Sequence, residues 1–408
     1  MNRLALILSL ALRNLVKNRR RSLATLLAIG VGFAAVNLFA GYIHNVYTGL
    51  SNAAIHGEGL GHLTIAKRGY FEQGSLKPEH YLFSKAELAK LDALLQKQRG
   101  VAVVSPRLPV SGLISNGKVS TIFIGEGESP EASSLIRPHG TPRLKANKPD
   151  AGLVSRGLAD ILGADSGSNL VLLTSTLQGQ TNAMDLEMLR AWDTGTAATN
   201  DKSVRLPLDY AQRLLDTDGA SRVVVLYAEG SDANAARTAL EPVLRAAGFD
   251  VEIRTWVELS NFYRSVKNMF DLIFLFLFSI VFIVVLMSII NTLSMSVMER
   301  VREIGTLRAL GLRRRGIVAL FGAEGAVLGA AGCLLGVLFT VAVSLGINNA
   351  HITYIPPSSS NAVPLSLAIL PATQAALLAL LSGVAMLAAC WPARRAAHIE
   401  IVDALGHV

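Results

Sequence analysis

Four long apolar stretches constrain the fold of this chain more than any other feature. Leu23–Ile43 contains 21 residues without a charge, and Leu272–Met298 contains 27. Ile317–Ile347 contains one charged residue, and Leu367–Trp391 contains none. A helix needs about 20 mainly apolar residues to cross a bilayer. The sequence therefore predicts an integral membrane protein with four transmembrane helices, at residues 23–43, 269–298, 316–347 and 367–392.

The distribution of Lys and Arg predicts the orientation of these helices. Residues 1–22, 299–315 and 393–408 carry 14 basic and four acidic residues, whereas residues 348–366 carry no Lys or Arg. Because basic segments remain on the cytoplasmic side, both termini and residues 299–315 are expected there. Residues 44–268 then form a large extracytoplasmic domain, and residues 348–366 form a short external loop. We expect an inner-membrane, multi-pass protein.

Residues 1–22 have the pattern of a basic amphipathic helix on the inner leaflet. Leu4, Leu8 and Leu15 share one helical face, while Arg13 and Lys17 lie elsewhere. An extension of the first membrane helix is the alternative. The basic ends are explained by contact with anionic lipid, so we expect membrane lipid and not nucleic acid as their partner.

The segment 44–268 predicts an α+β domain, with two lobes as one possible arrangement. Ser84 and Glu87 form a capping-box pattern at the start of a helix that we place at Ser84–Gln98. Further helices are expected at Leu208–Leu215 and Ala233–Ala247. Short runs rich in β-branched residues predict strands at Leu63–Ala66, Val101–Val104, Thr121–Gly125, Leu170–Thr174, Arg222–Tyr227 and Val251–Thr255.

No pattern for catalysis or metal binding occurs in the sequence. The Walker A pattern G-x-x-x-x-G-K-S/T, the G-x-S-x-G elbow and the H-E-x-x-H zinc pattern are all missing. Both cysteines, Cys333 and Cys390, fall within predicted membrane helices. We expect no catalytic site, no bound metal and no cofactor in this chain.

Two features of the membrane region point to specific packing. Glycines recur at steps of three and four along the third predicted helix, and small residues allow membrane helices to approach closely. We expect this stripe to dock against helix two or four, or across a dimer interface; it comprises Gly322, Gly325, Gly329, Gly332 and Gly336. Glu324 is an acid inside the same helix, and intramembrane acids need a partner. We expect Arg313–Arg315 or water to supply it, in a structural role or in proton transfer.

The segment 299–315 between helices two and three is short and charged. Val301, Ile304 and Leu307 place apolar side chains at steps of three, and Gly311 is a suitable helix end. This pattern predicts a short helix at the membrane surface, and an ordinary solvated loop is the alternative.

Three segments resemble one family. They are LRNLVKNRRRSLATLLAIGVGFAAV (12–36), ERVREIGTLRALGLRRRGIVALFGAEGAVLGAAGCLLG (299–336) and PARRAAHIEIVDAL (392–405). The chain resembles the FtsX-like, MacB-type permeases of ABC transporters, also called type VII permeases. The E-x-x-x-E-I-G-x-L-R-A-L-G pattern is the most specific part of this resemblance.

The resemblance implies that residues 299–310 form a coupling helix in a groove of a separate ABC ATPase dimer. That subunit would bind ATP and Mg²⁺, so this chain would be non-catalytic. Apolar residues of the helix would fill the groove, and charged residues would fix its orientation. The residues assigned to this contact are Glu299, Arg300, Val301, Arg302, Glu303, Ile304, Gly305, Leu307, Arg308 and Leu310.

The resemblance leaves three functions open. One is the release of lipoprotein from the inner membrane, as in LolC/LolE-like permeases, which the stretch GHLTIAKRGY (61–70) favours. The second is MacB-like efflux with a periplasmic adaptor, and the third is FtsX-like signalling to a cell-wall hydrolase. A second permease copy or a paralogue is expected, with a carrier, adaptor or lipoprotein outside. Residues that would line a cavity for an amphiphile, or else simply contact lipid, are Phe33, Val36, Phe39, Phe274, Phe278 and Phe282.

Overall fold

The computed structural model describes residues 19–74, 76–137, 140–356 and 362–400. They divide into two compact units. The membrane unit comprises the described parts of Met1–Val46, Lys267–Thr353 and Pro364–Val408, and the outer domain comprises those of Tyr47–Val266 and Tyr354–Val363. The predicted N-terminal amphipathic helix, up to residue 18, and the end of the predicted tail, from residue 401, lie outside the described residues.

The described chain contains four helices that are long and apolar enough to span a membrane. They are Arg19–Asn52, Asn261–Glu299, Arg314–Asn349 and Pro371–Ala397, which we call membrane helices one to four. A π-helical turn, Ala53–Gly57, extends the first. Each helix extends beyond its apolar stretch at one end or at both, because polar residues there continue the backbone hydrogen bonding.

The membrane helices pack through a core of small and branched side chains. Ile29 and Phe33 of helix one, Ile289 of helix two, Leu328 of helix three and Ala385 of helix four all belong to this core. The hydroxyls of Thr25 and Thr292 lie 2.6 Å apart and join helices one and two. Lipid gives little hydrophobic drive for helix association, so such close packing and hydrogen bonds hold the unit together.

The outer domain is built on a nine-stranded sheet. Its strands are β1 Leu63–Lys67, β2 Val101–Ser115, β3 Ser120–Glu128, β4 Ala151–Ser155, β5 Asn169–Ser175, β6 Thr181–Trp192, β7 Ser203–Pro207, β8 Arg222–Tyr227 and β9 Val251–Thr255. Its helices are Tyr70–Gln73, Lys85–Leu95, Pro130–Ile136, Arg156–Leu162, Ala197–Asn200, Leu208–Leu215, Ala233–Ala246 and Trp256–Leu259, with a 3₁₀ turn at Pro78–Tyr81. A short ladder pairs Thr353–Tyr354 (β10) with Val363–Pro364 (β11).

The strand order produces two lobes. The strands β2, β8, β1 and β9 pair in that order, and the helices Lys85–Leu95 and Ala233–Ala246 complete a split βαβ arrangement. The predicted capping box of Ser84 and Glu87 is present at the first of these helices. Leu63, Leu91 and Leu240 are buried in the core of this lobe.

The second lobe is a barrel inserted between β2 and β8. The order β3-β7-β4-β6-β5-β2 closes on itself because β3 also pairs with β2. Val110, Phe123, Leu172, Leu206 and Tyr210 fill its interior. The long strand β2 belongs to both lobes and makes them one sheet.

Candidate functional site

A short helix, Val301–Ala309, joins membrane helices two and three, and we call it the connector helix. Gly311 ends it with a φ of 95°, a conformation that favours glycine. The amide of Leu312 donates to the carbonyl of Leu307 at this end, as in a glycine C-cap. The sequence pattern therefore specifies a helix here and not a loop.

One face of the connector helix is buried within the membrane unit. Val301 is 2% exposed and Ile304 is 3% exposed. Ile304 packs in a cluster with Phe321 of helix three and Ala393 and Ala397 of helix four. Val301, Ile304 and the buried Gly305 were expected to meet an ATPase groove, and this expectation was wrong. They pack on their own chain because the small residues of helix four leave room for a helix beside it.

The opposite face of the connector helix is exposed. Thr306 is exposed, Leu307 is 36% exposed and Leu310 is 80% exposed. The charged side chains of Arg302 and Glu303 share this face. Of the assigned coupling residues, Arg302, Glu303, Leu307 and Leu310 are therefore exposed on this face, and Glu299 is exposed at the end of helix two. A hydrophobic anchor rimmed by charges is a typical protein-binding surface.

Two arginines fix the connector helix to the membrane helices. Nη1 of Arg300 lies 3.2 Å from the Glu324 carboxylate, and its Nε donates to Glu303 at 2.8 Å. Arg308 donates to the carbonyl of Ile399 at the end of helix four. Among the described residues, the buried acid of helix three therefore pairs with Arg300, whereas Arg313–Arg315 were the expected partners. This pairing offsets the cost of burying the carboxylate.

The glycine stripe lies between helices three, four and one. A Cβ on Gly325 would stand 2.7 Å from both the Ala385 carbonyl oxygen and the Ala389 Cβ. The atoms nearest to a Cβ on Gly322 or Gly329 also belong to helix four. The atoms nearest to a Cβ on Gly332 or Gly336 belong to helix one, chiefly to Ile29 and Phe33. The stripe therefore contacts helix four with one half and helix one with the other. Helix two, the other partner expected for the stripe, does not supply these nearest atoms.

The residues assigned to a cavity separate into two groups. Phe33 and Val36 are buried, and Phe33 packs against Gly336, so neither lines a cavity as had been expected. Phe39, Phe274, Phe278 and Phe282 form a stacked column between helices one and two. Its ring centroids lie 6.3 Å apart for Phe39 and Phe274 and 5.8 Å apart for Phe278 and Phe282.

The outer domain contains a buried cluster of charged residues that was not predicted from the sequence. Arg107 of β2 and Glu128 of β3 are fully buried and form an ion pair. Glu128 also pairs with Arg137 at 3.0 Å. The signal was present, since Arg107 interrupts an apolar run. That run alone does not indicate that Arg107 pairs with Glu128 on the next strand.

The charges of this cluster are unequal. Burial lowers the pKa of Arg107 and of Arg205 to about 9, because the charged form is poorly solvated. Burial alone would raise the pKa of Glu126, but Arg222 and Arg107 outweigh it and hold that pKa at about 2. Arg107, Arg205 and Glu126 therefore stay ionised near neutral pH. The cluster contains more arginines than carboxylates: Arg107, Arg137, Arg205 and Arg222 against Glu126 and Glu128.

The outer end of the π-helical turn Ala53–Gly57 lies against this cluster. The carbonyl of Gly57 accepts hydrogen bonds from Arg137 and, at 3.4 Å, from Arg205. His56 Nδ1 donates to the Ile136 carbonyl at 2.8 Å. A helix C-terminus carries partial negative charge, which complements the excess of arginine. Within the outer domain, this joint fixes the end of helix one to the barrel lobe.

The described residues contain no group of three His, Cys, Asp or Glu side chains that could hold a metal ion. Both cysteines are free thiols.

Comparison with protein families identifies both parts of the architecture. The MacB-like periplasmic core domain matches residues 22–243, and the FtsX-like permease C-terminal domain matches residues 274–401. The chain belongs to the FtsX-like, MacB-type family of ABC transporter permeases. For an FtsX-like permease, the α+β domain between helices one and two is the expected periplasmic core, and the predicted fold class is confirmed.

Individual relatives of this FtsX-like permease are distant. It is 27% identical over 428 residues to the macrolide export ATP-binding/permease protein MacB of Sodalis glossinidius, covering 98% of this chain and 60% of the relative. It is 29% identical over 152 residues to the ABC transporter permease YtrF of Bacillus subtilis, covering 34% of each. The chain thus spans less than two thirds of these relatives. The periplasmic region of MacB from Actinobacillus actinomycetemcomitans matches 52% of this chain, with 96% of that structure covered, 13% identity and a TM-score of 0.36.

Proposed function

We propose that this chain is a permease subunit that couples ATP hydrolysis by a separate ABC ATPase to motion of its outer domain. The connector helix carries this proposal. Its buried face is fixed to helices three and four, and its exposed face presents Leu307 and Leu310 among charged side chains. A force applied to the exposed face reaches the membrane helices through packed side chains and two arginine contacts.

The proposal includes an orientation and a dimer. The basic segments place the connector helix and both termini in the cytoplasm, with the outer domain across the membrane. One chain of four membrane helices offers little enclosed volume, so a second permease copy or a paralogue completes the complex. In this proposal the ATPase supplies ATP and Mg²⁺ binding, and the 408 residues themselves contain no Walker A pattern.

For cargo, we propose an amphiphile in the outer leaflet, with lipoprotein release as the specific reaction. The aromatic column between helices one and two is only half-buried, which leaves an apolar surface at the position where a lipid-anchored molecule would arrive sideways. Efflux is the second candidate, because a relative is named as a macrolide export protein.

Coupling is tested by purification of the permease with its ATPase and assay of ATP hydrolysis in nanodiscs. Leu310→Asp should abolish co-purification, because it places a charge in the centre of the proposed contact. Leu76→Asp alters an equally exposed leucine of the outer domain and should have no effect. Binding of the ATPase to the Leu310→Asp variant as well as to the unaltered chain, with equal stimulation of ATP hydrolysis by both, would exclude this contact.

Cargo is tested by depletion of the chain in its host. Lipoprotein release predicts that lipoproteins accumulate in the inner membrane fraction. Normal lipoprotein sorting with increased sensitivity to amphiphilic compounds would favour efflux. Normal sorting with defective cell separation would favour the signalling function instead.

A further inference from the structure

A cleft lies between membrane helices two and four, at the ends that border the connector helix. Its volume is about 350 Å³, within the range of small-molecule sites. Val297 and Met298 of helix two and Trp391 of helix four form apolar walls. Ser294 and Arg395 also line it, and Arg395 is the only charged residue among the described residues that do so.

Arg395 has no anionic partner in the described part of the chain. Its side chain is exposed, and its guanidinium lies 5.3 Å from the centre of the Trp391 ring. It makes no side-chain hydrogen bond or ion pair with a described residue. Trp391 is 58% exposed at the same place. Tryptophan and arginine at a helix end mark the boundary between the acyl chains and the headgroups of a bilayer.

We propose that this cleft binds one anionic phospholipid. Arg395 would hold the phosphate, and the ring of Trp391 would cover the glycerol region. Ser294 offers a hydroxyl to an ester carbonyl, and Met298 with Val297 supports an acyl chain. The headgroup is anionic because the described lining has a single cation and no carboxylate, so the ammonium group of a zwitterionic lipid finds no counter-charge among these residues.

The shape of the cleft favours a lipid over a protein segment. The cleft, of about 350 Å³, is too small to enclose a helix, which is about 10–12 Å wide with its side chains, whereas a lipid headgroup can enter it while the acyl chains remain in the bilayer. The bound lipid bridges helices two and four beside Ile399, whose carbonyl accepts a hydrogen bond from Arg308 of the connector helix. The lipid therefore stabilises the base of the connector helix. This inference depends on the membrane unit alone and not on the proposed cargo or ATPase.

Quenching of Trp391 fluorescence by brominated lipid tests the proposal directly. The chain contains three tryptophans, and the other two, Trp192 and Trp256, belong to the outer domain. Their contribution is measured with Trp391→Phe and subtracted. The full chain in nanodiscs is titrated with phosphatidylglycerol brominated near the headgroup and, separately, with phosphatidylcholine brominated at the same positions.

We expect the anionic lipid to quench Trp391 at about fivefold lower mole fraction, the factor that one basic residue near a membrane surface provides. Arg395→Gln should abolish this difference. Arg394→Gln removes the same charge from an exposed neighbour that does not line the cleft, and it should retain the difference. Ser294→Phe, which fills the cleft and keeps the charge, should also abolish it.

Two results would overturn the proposal. Equal quenching by both lipids in the unaltered chain would show that the cleft does not select a headgroup. Equal losses in Arg394→Gln and Arg395→Gln would show that the preference comes from the general positive charge of this surface. Circular dichroism of each variant distinguishes loss of binding from loss of fold.

Discussion

Substitution of Gly325 by alanine should destabilise the membrane unit, although alanine is the better helix former. The added Cβ would stand 2.7 Å from the Ala385 carbonyl oxygen and 2.7 Å from the Ala389 Cβ. Nonbonded carbon atoms are optimally about 3.5–4.0 Å apart. Neither obstacle is the flexible end of a side chain, so helices three and four must separate locally.

The expected magnitude follows from this overlap. Overpacking of a close-packed site costs about 1–3 kcal/mol, and the loss of glycine returns at most about 1 kcal/mol of helix propensity. Gly346→Ala is the matched control, because a Cβ there meets nothing within 4 Å. It should be neutral or slightly stabilising.

Thermal unfolding of both purified variants in one detergent measures the difference. A cost of 1 kcal/mol corresponds to roughly 2–4 °C in the midpoint for a unit of this size. We expect Gly325→Ala to unfold several degrees below Gly346→Ala. Equal midpoints would refute the close contact between helices three and four at this position.

Three further substitutions test individual contacts. Arg300→Met should lower the free energy of unfolding by about 1.5–3 kcal/mol, because it removes a charge-assisted contact to the buried carboxylate of Glu324, whereas Arg302→Met at an exposed site should change it by less than about 0.5 kcal/mol in chemical denaturation. Arg137→Met should accelerate hydrogen exchange of the π-helical turn that its guanidinium contacts, and Arg213→Met, which breaks an exposed ion pair, should not. Burial lowers the pKa of His62, so the unfolded chain binds the proton first, and stability should be lost as pH falls below about 6.5. A pH profile of unfolding that is as steep in His62→Gln as in the unaltered chain would contradict this assignment.

The membrane helices could be predicted because lipid allows few alternatives. A backbone in a bilayer must satisfy its own hydrogen bonds, so an apolar run of sufficient length becomes a helix. The length of an apolar stretch reflects the thickness of the bilayer, but it does not indicate the residue at which the helix ends. Residues 44–52 and 261–271 are mixed or polar and still continue helices one and two.

What the apolar face of the connector helix contacts could not be predicted. The spacing of Val301 and Ile304 correctly indicates an apolar stripe, but a stripe can face a partner or its own chain. Ala393 and Ala397 decide between these, because they belong to helix four and not to a free tail. Nothing in their local sequence specifies that contact.

Strands in the outer domain were predicted where β-branched residues dominate and missed elsewhere. Thr181–Trp192 contains two alanines, two methionines and two leucines, residues that favour helix. It nevertheless forms strand β6, because β5 pairs with one of its edges and β4 pairs with the other. Tertiary pairing overrides local propensity there. The cluster around Arg107 was missed for the same reason, since its members come from separate strands.

Site-specific photo-crosslinking from the connector helix tests the central claim most directly. A photoreactive amino acid is placed at Leu310 on the exposed face, or at Val301 on the buried face, and the chain is irradiated in intact host cells. We expect Leu310 to yield a crosslink to an ABC ATPase and Val301 to yield none. Crosslinks from Leu310 that contain no ABC ATPase, or equal ATPase crosslinks from both positions, would contradict the proposed docking surface.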